Sequence, residues 1–135
     1  MTSTVTYEGD LRTSLKHLRS GTNIETDAPV DNNGKGERFS PSDLVATALG
    51  SCMMTIMGMR AKEMNVDLKG TKIEVEKIMK QDPRRIGGIN FTFHFPESLA
   101  VNGPQPTILQ KAAETRPVIY SINPEIEVNV KFGWK

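Results

Sequence analysis

Any covalent chemistry in this chain would begin at sulfur. Cys52 is the only cysteine among 135 residues, so no intramolecular disulfide can form and the thiol is either packing or a reactive group. Reaction requires the thiolate, which is favoured by a neighbouring cation or by the first turn of a helix. Cys52 lies about three turns into an apolar helical stretch, beyond the reach of the helix dipole, so a cation would have to activate it. Met53, Met54, Met57, Met59 and Met64 surround it. Soft thioether side chains could line a pocket for an apolar substrate, and they serve equally well as core packing.

Other chemistries find little to work with. His17 and His94 stand alone in strand-like segments, with no ligand spacing to Cys52 or to each other, so no metal site is expected. The loop GKGER lacks the Lys-Ser or Lys-Thr ending of a phosphate loop, and no GxGxxG follows a strand. No GxSxG elbow occurs either, so nucleotide binding, serine hydrolysis and a bound cofactor are not expected.

The elements that must hold the thiol are legible. Ser40 can cap a helix, Pro41 suits its first position, and Asp43 completes a capping-box pattern. The helix predicted from there to about residue 64 carries no charge from Leu44 to Met59, so it is apolar on every face and must be buried. Those sixteen residues include Thr47, Gly50, Ser51, Thr55 and Gly58 and fall short of the roughly 20 apolar residues a bilayer needs. A second copy would supply the cover that one sheet cannot, and Ala46 and Gly50 would admit a close helix.

Around this helix the pattern is β. STVTYE, LRTSLKHL and TNIETD read as an N-terminal meander, and APVDNNGKGERF as a mobile surface loop. KIEVEKIMK and INFTFHF form a hairpin, the second strand placing Ile89, Phe91, Phe93 and Phe95 on one face. The connection QDPRRIGG reads as a solvated turn. PTILQKAAETR gives a second helix stopped by Pro117, and EIEVNVKFGW a half-buried strand. The order β-β-β-α-β-β-α-β defines one α+β domain over residues 1–135. Seventeen basic against sixteen acidic residues leave a net charge of +1, which offers no field for nucleic acid or an anionic membrane. MTSTVTYEGDLRT shows no secretory pattern, and a cytoplasmic location is expected.

The stretch GERFSPSDLVATALGSCMMTIMGMRAKEMNVDLKG, with the DPRRIGG turn and the EVNVKFGW strand after it, resembles the OsmC/Ohr family over nearly the whole chain. The resemblance implies an intertwined homodimer with two cysteine-bearing helices at its centre and active sites at the subunit interface. It also implies a peroxiredoxin-like role in oxidative stress: reduction of organic hydroperoxides, with Cys52 at the peroxidatic position. In the family a second cysteine resolves the sulfenic acid, whereas here Arg116 stands in that place. The acidic residue found ten before the peroxidatic cysteine is replaced by Ser42, with Asp43 one step later. Ser42, Asp43 and Met53 are the pocket candidates, and Arg12, Arg38 and Arg116 the candidate thiolate-stabilising arginines. Two readings follow: a one-cysteine peroxidase that uses an external thiol, or an inactive member that binds a small apolar or anionic ligand.

Overall fold

The computed structural model describes residues 1–115 and 117–134, so Arg116 lies outside the described residues. The chain forms two compact units, Met1–Val45 and Ala46–Lys135.

The first unit is the expected meander. Strands β1 (Ser3–Gly9), β2 (Arg12–His17) and β3 (Asn23–Asp27) pair antiparallel in the order β1-β2-β3. Val5, Leu15 and Ile24 are aligned across the three strands, and Val5 and Ile24 remain exposed at 67% and 47%. The segment after β3 is more tightly held than a free loop. It contains a 3-10 turn, Val30–Asn32, and Gly36 N–H donates to Ala28 O at 3.2 Å. Gly34 approaches Ala28 so closely that a Cβ there would stand 1.7 Å from the Ala28 carbonyl oxygen, a fit open only to glycine.

Helix α1 (Pro41–Glu63) begins as its sequence dictates. Asp43 N–H donates to Ser40 Oγ at 3.1 Å, and Ser40 N–H donates to Asp43 Oδ2 at 2.9 Å, the reciprocal pair of a capping box. The helix ends where Asn65 turns left-handed at φ 56° and Val66 N–H reaches back to Ala61 O at 2.9 Å.

The second unit holds the apolar core. Strands β4 (Lys72–Lys80) and β5 (Arg85–His94) form the predicted antiparallel hairpin, and β6 (Glu127–Gly133) joins β5 in parallel, giving the order β4-β5-β6. Helix α2 (Gln105–Glu114) and a 3-10 turn (Pro117–Ser121) lie between β5 and β6 in sequence. Ile89, Phe91, Phe93 and Phe95 are all buried, as their alternation requires. Phe93 stacks on Phe132 at 4.7 Å and Phe95 on Trp134 at 4.2 Å between ring centroids.

Against this sheet α1 lays one face only. Ala46, Leu49, Gly50, Met53, Met57 and Ala61, spaced three or four apart, are buried. Gly50 matters here: a Cβ would meet Phe91 at 3.2 Å and Val75 at 3.3 Å, so the missing side chain lets the helix lie close on the sheet. The small residues read as an opening for a second helix are thus used up by the helix-to-sheet contact. The opposite face, with Ala48, Ser51, Thr55 and Met59, is exposed in the single chain. The helix has the length and mean hydropathy, 1.4, of a membrane span. Its fully buried Leu49, Met53 and Met57 mark it instead as the central helix of a core.

Candidate functional site

Cys52 sits at the border of these two faces and is half-buried as a free thiol, while Met53 beside it is wholly enclosed. The border position follows from helix geometry: Met53 continues the Leu49–Met57 stripe, and Cys52 is rotated about 100° from it. Met53 is therefore a core residue and not a pocket wall. Ile56, one turn beyond Cys52, opens a groove of about 480 Å³. Met59 continues the α1 wall, and Ile108, Ala112 and Thr115 on and just beyond α2 form the other wall. Arg60, paired with Glu63, and Lys111 carry charge at its rim. A groove with an apolar floor and a few charges suits a small ligand with an apolar body. Thr115, which lines the groove, is followed in sequence by Arg116, which lies outside the described residues.

The described arginine candidates are both engaged inside the first unit. Arg12 on β2 stands opposite Asp27 on β3, and its Nε and Nη2 donate to the two Asp27 carboxylate oxygens at 2.7 and 2.8 Å. Nη2 also reaches Glu37 at 3.1 Å. Asp27, 1% exposed, accepts a third bond from Glu37 N–H at 3.1 Å, which ties the loop before α1 to the sheet. The hydrogen-bonded Arg12 guanidinium outweighs burial and holds the Asp27 carboxyl below the usual carboxylate range. Arg38 pairs with Glu25 at 3.0 Å. Ser42 and Asp43 both serve the start of α1: Ser42 Oγ lies 3.2 Å from Ser40 Oγ, and Asp43 closes the capping box.

Asp27 is the residue that sequence reasoning missed. Its only signal is an acid at an inward-facing strand position across from an arginine, and that register is invisible without the pairing. The groove residues Ile56, Ile108 and Ala112 show in the sequence only as apolar positions of two helical segments.

A capped central helix carrying one half-open thiol and packed against a three-stranded mixed sheet defines an α+β protein of the thiol-bearing class. Residues 34–131 match the family of OsmC-like proteins, and the chain belongs to that family. It is similar to a protein of Psychrobacter arcticus 273-4 described as an osmotic stress induced and detoxification response protein. The two are 48% identical, with 98% of this chain and 95% of that one covered and a TM-score of 0.92. It shares its fold with the organic hydroperoxide resistance protein OsmC of Legionella pneumophila, 16% identical over 99% and 98% of the two chains at a TM-score of 0.74. The same fold occurs in OhrB of Bacillus subtilis, 18% identical over 98% of each chain at a TM-score of 0.64. No curated protein sequence matches the chain.

Proposed function

We propose that this chain is a cytoplasmic, homodimeric stress-response protein acting as a one-cysteine thiol peroxidase on organic hydroperoxides. The observation that carries the reading is the half-open Cys52 one helical turn from an apolar groove. The apolar part of ROOH occupies the groove and the Cys52 thiolate attacks the distal oxygen. An S–O bond forms, the O–O bond breaks, and the alkoxide takes a proton from solvent and leaves as ROH. The sulfenic acid then condenses with one external thiol, releasing water, and a second external thiol frees Cys52 and departs as the disulfide. The external thiol is needed because Cys52 is the only cysteine. A second copy of the chain is the proposed cover for the exposed Ala48–Met59 face of α1 and for the uncovered Val5–Ile24 row.

One observation favours a second reading. Arg12 and Arg38 are each committed to carboxylates, and among the described residues none pairs with the Cys52 sulfur. In that case the protein binds a small apolar or anionic ligand in the groove without turnover.

Cumene hydroperoxide with excess dithiol separates the two. The peroxidase consumes hydroperoxide, gives a dimedone adduct at Cys52, and loses both in Cys52→Ala. Absence of consumption and adduct with every thiol donor, while cumyl alcohol still raises the Tm of Cys52→Ala, assigns the protein to ligand binding.

A further inference from the structure

The groove between α1 and α2 holds a second sulfur. Met59 lines its α1 wall and is 63% exposed; Met1 is the only other exposed methionine, whereas Met53 and Met57 are fully enclosed. The spacing brings Met59 into line with the thiol. Seven residues are close to two helical turns, so Met59 lies within about 20° of Cys52 around α1 and about 10 Å further along it, with Ile56 between them. Helical side chains lean toward the N-terminus, which carries the thioether back toward Ile56. A ligand with an apolar body and an O–O bond, seated there as the peroxidase reading requires, therefore meets two kinds of sulfur. The thiol must ionise to react. The thioether has no proton to lose and needs no cation beside it.

We propose that Met59 is oxidised to methionine sulfoxide by hydroperoxides held in the groove, and that this modification turns the α1 wall polar and weakens its hold on apolar ligands. Such oxidation presupposes the hydroperoxide reading of the groove. The thioether sulfur attacks the distal oxygen of ROOH: an S–O bond forms, the O–O bond breaks, the hydroxyl proton passes to the departing alkoxide, and ROH leaves. Sulfur is oxidised, the peroxide is reduced, and no other reactant is needed. Retention beside the sulfur raises the effective concentration of a reagent that attacks free thioethers slowly. A second copy over the outer side of α1, as proposed above, would leave the groove as the approach to this sulfur, so that only what the groove admits would oxidise it.

The test uses Cys52→Ala, which removes the competing thiol, with cumene hydroperoxide or hydrogen peroxide and with N-acetylmethionine amide in the same solution as a freely exposed thioether. Peptide mass spectrometry follows the sulfoxide at Met59. Relative to the free thioether, Met59 should react at least about tenfold faster with cumene hydroperoxide than with hydrogen peroxide, which has no apolar body. Excess cumyl alcohol should abolish that advantage by filling the groove, and the rise in Tm that cumyl alcohol gives should shrink once Met59 is oxidised. Equal relative rates with the two peroxides, or no protection by cumyl alcohol, would reduce Met59 to an exposed methionine and overturn the proposal, and an undiminished rise in Tm would overturn the weakened hold. The unmodified chain, treated in parallel with dimedone, tells this failure from that of the peroxidase reading. An adduct at Cys52 without preferred oxidation of Met59 sinks the Met59 proposal alone, and the absence of both sinks the two together.

Discussion

The two faces of α1 are both uncharged between Leu44 and Met59 and have opposite surroundings. Leu49, Met53 and Met57 are fully buried against the sheet, whereas Val45 and Met59 are 42% and 63% exposed. Neighbours in sequence are divided by this boundary: Met53 is enclosed, and Cys52 is half-open. Apolar character therefore specifies only that a helix face seeks cover, and the sheet covers one side. A thiol on the boundary can be anchored by the core and still be reached, which neither face alone would permit.

Substitutions along the helix test that contrast. Met53→Ala should cost about 2–5 kcal/mol by urea unfolding, since it empties a packed site. Gly50→Val should cost about 1–3 kcal/mol, because its side chain must push α1 off Phe91 and Val75. Cys52→Ala next door should change stability by less than about 1 kcal/mol; a loss as large as that of Met53→Ala would place the thiol in the core and erase the contrast. The smallest effect sharpens the contrast most. A Cβ at Gly58 meets nothing within 4 Å in the single chain, so Gly58→Ala on a bare helix should gain about 0.5–1 kcal/mol. With a second copy on that face, as proposed above, the same change should instead weaken the dimer in sedimentation equilibrium.

Local signals were legible in the sequence and non-local ones were not. The Ser40–Asp43 capping box spans one turn, and both of its hydrogen bonds follow from residue types at fixed spacing. The Ile89, Phe91, Phe93 and Phe95 alternation declared its buried face in the same way. The bare face of α1 was marked in the sequence only by Ser51 and Thr55, one turn apart, because a stretch without charges carries little periodicity to show which side meets the sheet. The Arg12–Asp27 pair depends on the register of β2 against β3, and the groove on bringing Ile56 of α1 beside Ile108 and Ala112 of α2. The tie on the 28–39 segment was hidden for the same reason, since the carboxylate that accepts from Glu37 N–H comes from β3.

The buried Asp27 carboxylate also couples folding to protons. Its pKa is lowered in the folded chain by Arg12, so on acidification the unfolded chain takes up this proton first. The stabilisation is complete at neutral pH and is lost as the pH falls from the ordinary carboxylate value of about 3.9 through the lower folded value. Asp27→Asn lacks that linkage. Its Tm should lie well below that of the unmodified chain at pH 7, and the two curves should converge below about pH 4. A difference that persists unchanged into acid would show that the carboxylate acts by shape and not by charge.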